Sequence, residues 1–136
     1  MGEVTGAVRF AGYAAVFDVA DRGGDVIRAG AFGPDATGAV GPVPLLWQHR
    51  GAPVGVIEAI GEDRRGLRVI GRVEVPEVAA LLMRGAVSGL SFGYRARAAR
   101  RGMVRELTAV ELIEVSLVAE PMQRLARICA VEPASG

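Results

Sequence analysis

Apolar residues recur along this chain in runs of strand length, separated by glycine, proline and clustered charges. Val8, Phe10 and Val16 mark a first strand within residues 6–17, with Gly12 placed to form a bulge. Asp18 to Gly24 is a polar turn built from residues that tolerate positive φ. Val26 to Phe32 reads as a short extended segment, and the Gly/Pro-rich stretch 33–42 as an exposed loop. Val43 to Arg50 is a short apolar strand with His49 at its end. Pro53–Ile60 and Gly66–Glu74 form a hairpin across the charged turn Gly61-Glu62-Asp63-Arg64-Arg65.

The clearest helical pattern covers Pro76–Met83. Pro76 suits its first turn, Glu77 complements its N-terminal dipole, Val78, Leu81 and Leu82 form the apolar face, and Gly85 ends it. Val87–Arg97 follows as a strand, then a hairpin around Gly102, then strands over Met103–Val110 and Leu112–Val118. Pro121–Ala130 reads as a C-terminal helix with Leu125, Ile128 and Cys129 turned inward. About seven strands with a few surface helices predict a mixed, mainly β fold, a closed or nearly closed barrel that hides its strand edges.

Composition narrows this picture. A chain of 136 residues and 14.2 kDa is expected to form a single domain, residues 1–136, around one core. Although 51% of residues are hydrophobic and the mean hydropathy is +0.32, no apolar run approaches the roughly 18 residues of a membrane span. The N-terminus lacks a basic stretch followed by an apolar segment, so a cytoplasmic location is the expectation. Cys129 is the sole cysteine, which excludes an internal disulfide or a thiolate metal cluster within one chain. A net charge of +1 gives no global attraction to nucleic acid or anionic lipid.

Two local clusters are read as solvated surface. Asp18, Asp21 and Asp25 lack the spacing of a glutamate-terminated calcium loop, so no metal is expected there. Arg95, Arg97, Arg100, Arg101 and Arg105 surround the Gly102 turn, but Tyr94 is the one aromatic residue beside them and Glu106 and Glu111 offset their charge. A solvated hairpin arm is expected there rather than a nucleic-acid interface.

The chemistry centres on Ser88-Gly89-Leu90-Ser91-Phe92-Gly93-Tyr94. Ser91 is the candidate nucleophile, and a serine hydroxyl needs a base within hydrogen-bond reach and a third group to orient that base. The chain has one histidine, so His49 must be the base of any serine–histidine mechanism. Ser88 is the alternative nucleophile, and strand alternation places it on the face opposite Ser91. The third group stays open at this level. Alternation places Glu114, Ser116 and Val118 on one face of their strand and Val115 and Leu117 on the other; Ser116 is read as a packed or hydrogen-bonded strand serine.

A series of blocks, in this order, resembles the prohead (capsid maturation) proteases of tailed bacteriophages of the HK97 type, which also occur in gene transfer agents. The blocks are Gly12-Tyr13-Ala14-Ala15-Val16-Phe17, Asp25-Val26-Ile27-Arg28-Ala29-Gly30-Ala31-Phe32, Pro44-Leu45-Leu46-Trp47-Gln48-His49 and Pro53-Val54-Gly55. They continue with Gly66-Leu67, Gly89-Leu90-Ser91-Phe92-Gly93-Tyr94, Glu114-Val115-Ser116-Leu117-Val118, and Pro121 with Ala126. The resemblance implies a serine endopeptidase on the barrel fold of the herpesvirus assembly proteases. His49 matches the family's base, Ser91 its nucleophile and Glu114 its acidic third member, where the herpesvirus enzymes use a second histidine. Glu114 could instead pair with Arg95 or Arg97, and Glu111 is its substitute in the third role.

The resemblance further implies the major capsid protein precursor and its scaffolding segment as substrates, self-cleavage, no cofactor, and action inside the assembling procapsid in the bacterial cytoplasm. A homodimer is left open, the herpesvirus enzymes being dimers. The alternative is a catalytically silent β-barrel module of procapsid assembly. Met122-Gln123-Arg124 departs from the small residue and asparagine common after the equivalent of Pro121, so no oxyanion role is carried over to that loop. Relatives often carry trimmed terminal segments, so a processed or compact form is expected.

Overall fold

The computed structural model describes residues 6–33 and 43–134, and among them the chain forms eight strands and one helix. The strands are β1 (Val8–Val16), β2 (Asp25–Ile27), β3 (Val43–Trp47), β4 (Arg50–Glu62), β5 (Gly66–Val73), β6 (Gly89–Arg101), β7 (Arg105–Val118) and β8 (Ile128–Pro133). Helix α1 (Pro76–Met83) joins β5 to β6. The loop expected over 33–42 lies outside the described residues from 34 onward.

β7 organises the sheet. β6 runs antiparallel along it from Gly89 opposite Val118 to Arg101 opposite Arg105, which occupies one edge for the whole length of β7. The other edge therefore takes two short parallel partners, β2 against residues 105–107 and β3 against residues 115–117. Antiparallel ladders continue from β3 through β4, β5 and β1 to β8. The two strands expected over 103–110 and 112–118 are thus largely one strand, bent by irregular register rather than broken.

Alternation decides what each face of β7 does. Val115 and Leu117 are fully buried and join Phe10, Leu45, Leu67, Val69 and Leu90 in the core. Burying a side chain of this size contributes about 1.5–3 kcal/mol. Glu114 and Ser116 alternate onto the reverse face. The core thereby holds rigidly the strand pair whose outer face carries the polar residues. Gly12 works as expected at the β1–β8 register shift: a side chain there would collide with the Arg127 carbonyl and the Ile128 backbone.

The mainly β fold expected is present, with eight strands rather than about seven, but of the closed or nearly closed barrel the closed form is corrected: the ladders do not close the sheet. The expected helix over Pro121–Ala130 is corrected as well, to turns followed by β8. The second correction has a visible cause. Gln123 is buried and bonds the end of β1 and the turn after it instead of making a helix: its Nε2 donates to the Val16 and Val19 carbonyls at 2.8 and 3.1 Å, and its Oε1 accepts from the Val16 N–H at 2.7 Å. Held this way, the segment meets the start of β6 through a short bridge. Leu90 N–H donates to Ala126 O and Ile128 N–H to Ser88 O, both at 2.9 Å. Leu125 and Cys129, expected to face inward, are exposed, and Ala126 takes the buried place.

Helix α1 matches the sequence pattern. Pro76 begins it, Glu77 sits in the first turn, and Ala79 and Leu82 are buried. Gly85 terminates it at φ 73°, with its N–H on Leu82 O and the Ala86 N–H on Leu81 O. Among the described residues no helix is long and apolar enough to cross a membrane.

Candidate active site

His49 is not at a strand end, as expected, but in the turn between β3 and β4. Trp47 pairs with Arg50, and the intervening Gln48 and His49 have φ of 53° and 64°. Positive φ at both central positions matches the twist of a tight hairpin, although it strains residues that carry a Cβ. Bonds to β7 offset that strain. Gln48 N–H donates to Leu117 O at 3.0 Å, His49 N–H donates to Ser116 Oγ at 3.0 Å, and Gln48 Oε1 accepts from Ala119 N–H at 3.3 Å. The turn is thereby stitched across the polar face of β7.

This brings the imidazole to Glu114, whose Oε2 lies 2.7 Å from His49 Nδ1. An ionised carboxylate can only accept, so the proton of this contact sits on Nδ1, and in the neutral ring Nε2 is then the nitrogen able to take up a proton. The other carboxylate oxygen, Oε1, accepts the Ser116 hydroxyl at 2.7 Å. The Glu114 side chain is 11% exposed and that of His49 41%, so the pair has a buried inner end and a wet outer one. Arg95 and Arg97, the competing partners for Glu114, bind Glu111 instead, at 3.4 and 2.8 Å. That engagement also removes Glu111 as the substitute.

Ser91 lies on β6 directly opposite Ser116, and Gly93 lies opposite Glu114, with regular register between them. Directly paired residues share a sheet face, so Ser91 stands on the face that carries Glu114, Ser116 and the His49 ring. Ser91 is buried, at 5% exposure, and borders a cavity of about 70 Å³ also lined by Leu90, Phe92, Tyr94, Asp25 and Gln123. Among the described residues no hydrogen bond joins Ser91 to His49. Catalytic contacts are commonly long before substrate binds. Ser88 is exposed, precedes β6, and accepts a bond from the Arg127 guanidinium at 3.3 Å.

Sequence reasoning missed Gly93. A Cβ there would overlap the Glu114 carboxylate, so the missing side chain is what lets the carboxylate lie across β6. Its sequence cue was a glycine two residues from Ser91 in a strand, where glycine often marks close approach. The aspartates near β2 have structural partners: Asp18 binds Arg28, Asp21 accepts the N–H groups of Gly23 and Asp25, and Asp25 binds Arg105. Tyr94 also donates to Asp25 at 3.2 Å, and burial together with that negative charge holds its phenol above the ordinary tyrosine range.

Comparison with known proteins shows a family and a fold. A model of the caudovirus prohead serine proteases matches residues 2–134. The prohead protease of Enterobacteria phage HK97 is 33% identical over 92 residues, covering 62% of this chain and 41% of that protein. The chain thus spans less than half the length of this relative. Among solved structures, the KSHV protease in complex with a hexapeptide phosphonate inhibitor aligns with 93% of the chain and 65% of its own, at TM-score 0.65 and 15% identity. The varicella-zoster virus protease aligns over 94% and 65%, at TM-score 0.56 and 17% identity. At such identities the likeness is one of fold, that of the herpesvirus assembly proteases.

Proposed function

We propose that this chain, which belongs to the caudovirus prohead serine protease family, is a capsid maturation protease whose nucleophile is Ser91, base His49 and orienting acid Glu114. The observation that carries the assignment of roles is the 2.7 Å contact between His49 Nδ1 and Glu114 Oε2 on the sheet face that also bears Ser91. His49 Nε2 takes the Ser91 proton as Oγ attacks a peptide carbonyl, then returns it to the leaving amine. Glu114 keeps the proton on Nδ1 and stabilises the imidazolium that forms. Water then repeats the sequence on the acyl-enzyme.

Family membership supports, as substrates, the major capsid protein precursor with its scaffolding segment, and the protease's own chain, inside the assembling procapsid. A catalytically silent assembly module has no need of an ordered His–Glu pair facing a serine, so this reading is not favoured. Coexpression with the capsid precursor tests the proposal, with precursor size followed by mass spectrometry. Wild type and Ser88→Ala are expected to trim the precursor, while Ser91→Ala and His49→Ala leave it intact. Trimming by Ser91→Ala would reject the nucleophile, and an intact precursor beside folded wild type would favour the silent module.

A further inference from the structure

Ser116 is fully buried and makes both of its strong hydrogen bonds to the proposed catalytic residues. Its hydroxyl proton goes to Glu114 Oε1 at 2.7 Å, and its oxygen accepts the His49 backbone N–H at 3.0 Å. One side chain therefore holds the acid by its side chain and the base by its main chain. We propose that Ser116 is a positioning residue that sets the His49–Glu114 pair; the inference rests on the catalytic reading above.

Each bond has a specific consequence. A carboxylate bound at one oxygen can rotate, and the Ser116 bond to Oε1 removes that freedom so that Oε2 stays aimed at Nδ1. The bond to the His49 N–H acts on the backbone. Gln48 and His49 both occupy left-handed φ, a conformation that persists only where surroundings hold it, and Ser116 supplies one such hold at the base itself. The neighbouring hold, Gln48 N–H on Leu117 O, fixes the turn but not the imidazole–carboxylate geometry. Alanine at position 116 would leave the Glu114 oxygen and the His49 N–H without this partner in a dry place, and both groups would move to find water.

The test combines a serine-directed fluorophosphonate with NMR of the full chain. In labelling, Ser91 Oγ displaces fluoride from phosphorus while its proton passes to His49. Ser116→Ala is expected to lower the maximal labelling rate by about 10- to 100-fold, with little change in the probe concentration for half-maximal rate. Ser116→Thr, which restores the hydroxyl, is expected to recover most of it. In the same samples the hydrogen-bonded Nδ1–H resonance of His49 should be present in wild type and Ser116→Thr and lost in Ser116→Ala. Ser116→Cys, close in volume but a poor donor and acceptor, replaces the alanine variant if that one does not fold.

Both changes are required. A slower rate with the His49 resonance intact, or a lost resonance with wild-type labelling, would overturn the positioning role. If wild type itself is not labelled at Ser91, the catalytic reading fails, and the resonance alone then decides: retained in Ser116→Ala it overturns the proposal, lost it upholds Ser116 as what positions the pair.

Discussion

Gly93 lies directly opposite Glu114 in the β6–β7 ladder, and the Glu114 carboxylate occupies the space that a side chain at position 93 would fill. The acid therefore reaches His49 by lying across the neighbouring strand. Gly93→Ala is expected to push the carboxylate away from Nδ1 and lower peptidase activity by about 100-fold, since a displacement near 1 Å in a catalytic group has an effect of this order. Activity and the thermal midpoint are measured together, because a folded, inactive Gly93→Ala is the predicted outcome. Wild-type activity in that variant would show that Glu114 needs no such approach.

Glu114→Gln preserves shape and removes charge. The glutamine amide can donate to His49 Nδ1, which favours the tautomer with the proton on Nε2 and removes the base. A loss of about 10³- to 10⁴-fold in kcat is expected, the scale seen when the acid of a serine triad is replaced by its amide. Precursor cleavage by purified protein checks this, and a loss below tenfold would reject Glu114 as the third member.

Gln123 supplies three hydrogen bonds from a buried position, two to Val16 at the end of β1 and one to the Val19 carbonyl beyond it. Gln123→Ala leaves the Val16 N–H and two carbonyls without these partners, and each unsatisfied buried group costs about 1–3 kcal/mol. The thermal midpoint is expected to fall by several degrees, with the exchange of amide protons in residues 14–19 and 121–127 accelerating before that of β7. Unchanged exchange there would show that the turn is held by other contacts.

Tyr94 gives the fold an alkaline limit. Burial and the Asp25 carboxylate raise its pKa above the ordinary value of 10.0 in the folded chain. The folded state then holds a proton that the unfolded chain releases from about pH 10 upward. This contribution is complete below that pH and is lost as pH rises towards the folded pKa. Tyr94→Phe is expected to flatten the fall in stability above pH 10, measured by denaturant unfolding at several pH values. A slope equal to that of wild type would assign the limit to another group.

Short-range chemistry was legible along the chain. The hairpin over residues 53–74, helix α1, the Gly12 bulge and the arm around Gly102 follow from local spacing of apolar residues, proline and glycine, and the structure has them all. The helix expected over 121–130 failed because Gln123 finds its partners on β1, more than a hundred residues earlier, and no local pattern reveals such bonds.

The sequence by itself determined which groups could do the chemistry. One histidine forces His49, alternation along residues 114–118 sets Glu114 and Ser116 on one face, and the glycine-framed segment singles out Ser91. Only the tertiary structure decided that His49 and Glu114 meet, on the sheet face that carries Ser91. The left-handed His49 turn folds over β7, Arg95 and Arg97 are drawn off by Glu111, and Gly93 makes room for the carboxylate. These are contacts between elements far apart in the chain, fixed by the packing of the sheet as a whole, and a one-dimensional pattern encodes residue types and periods but not which distant partners win.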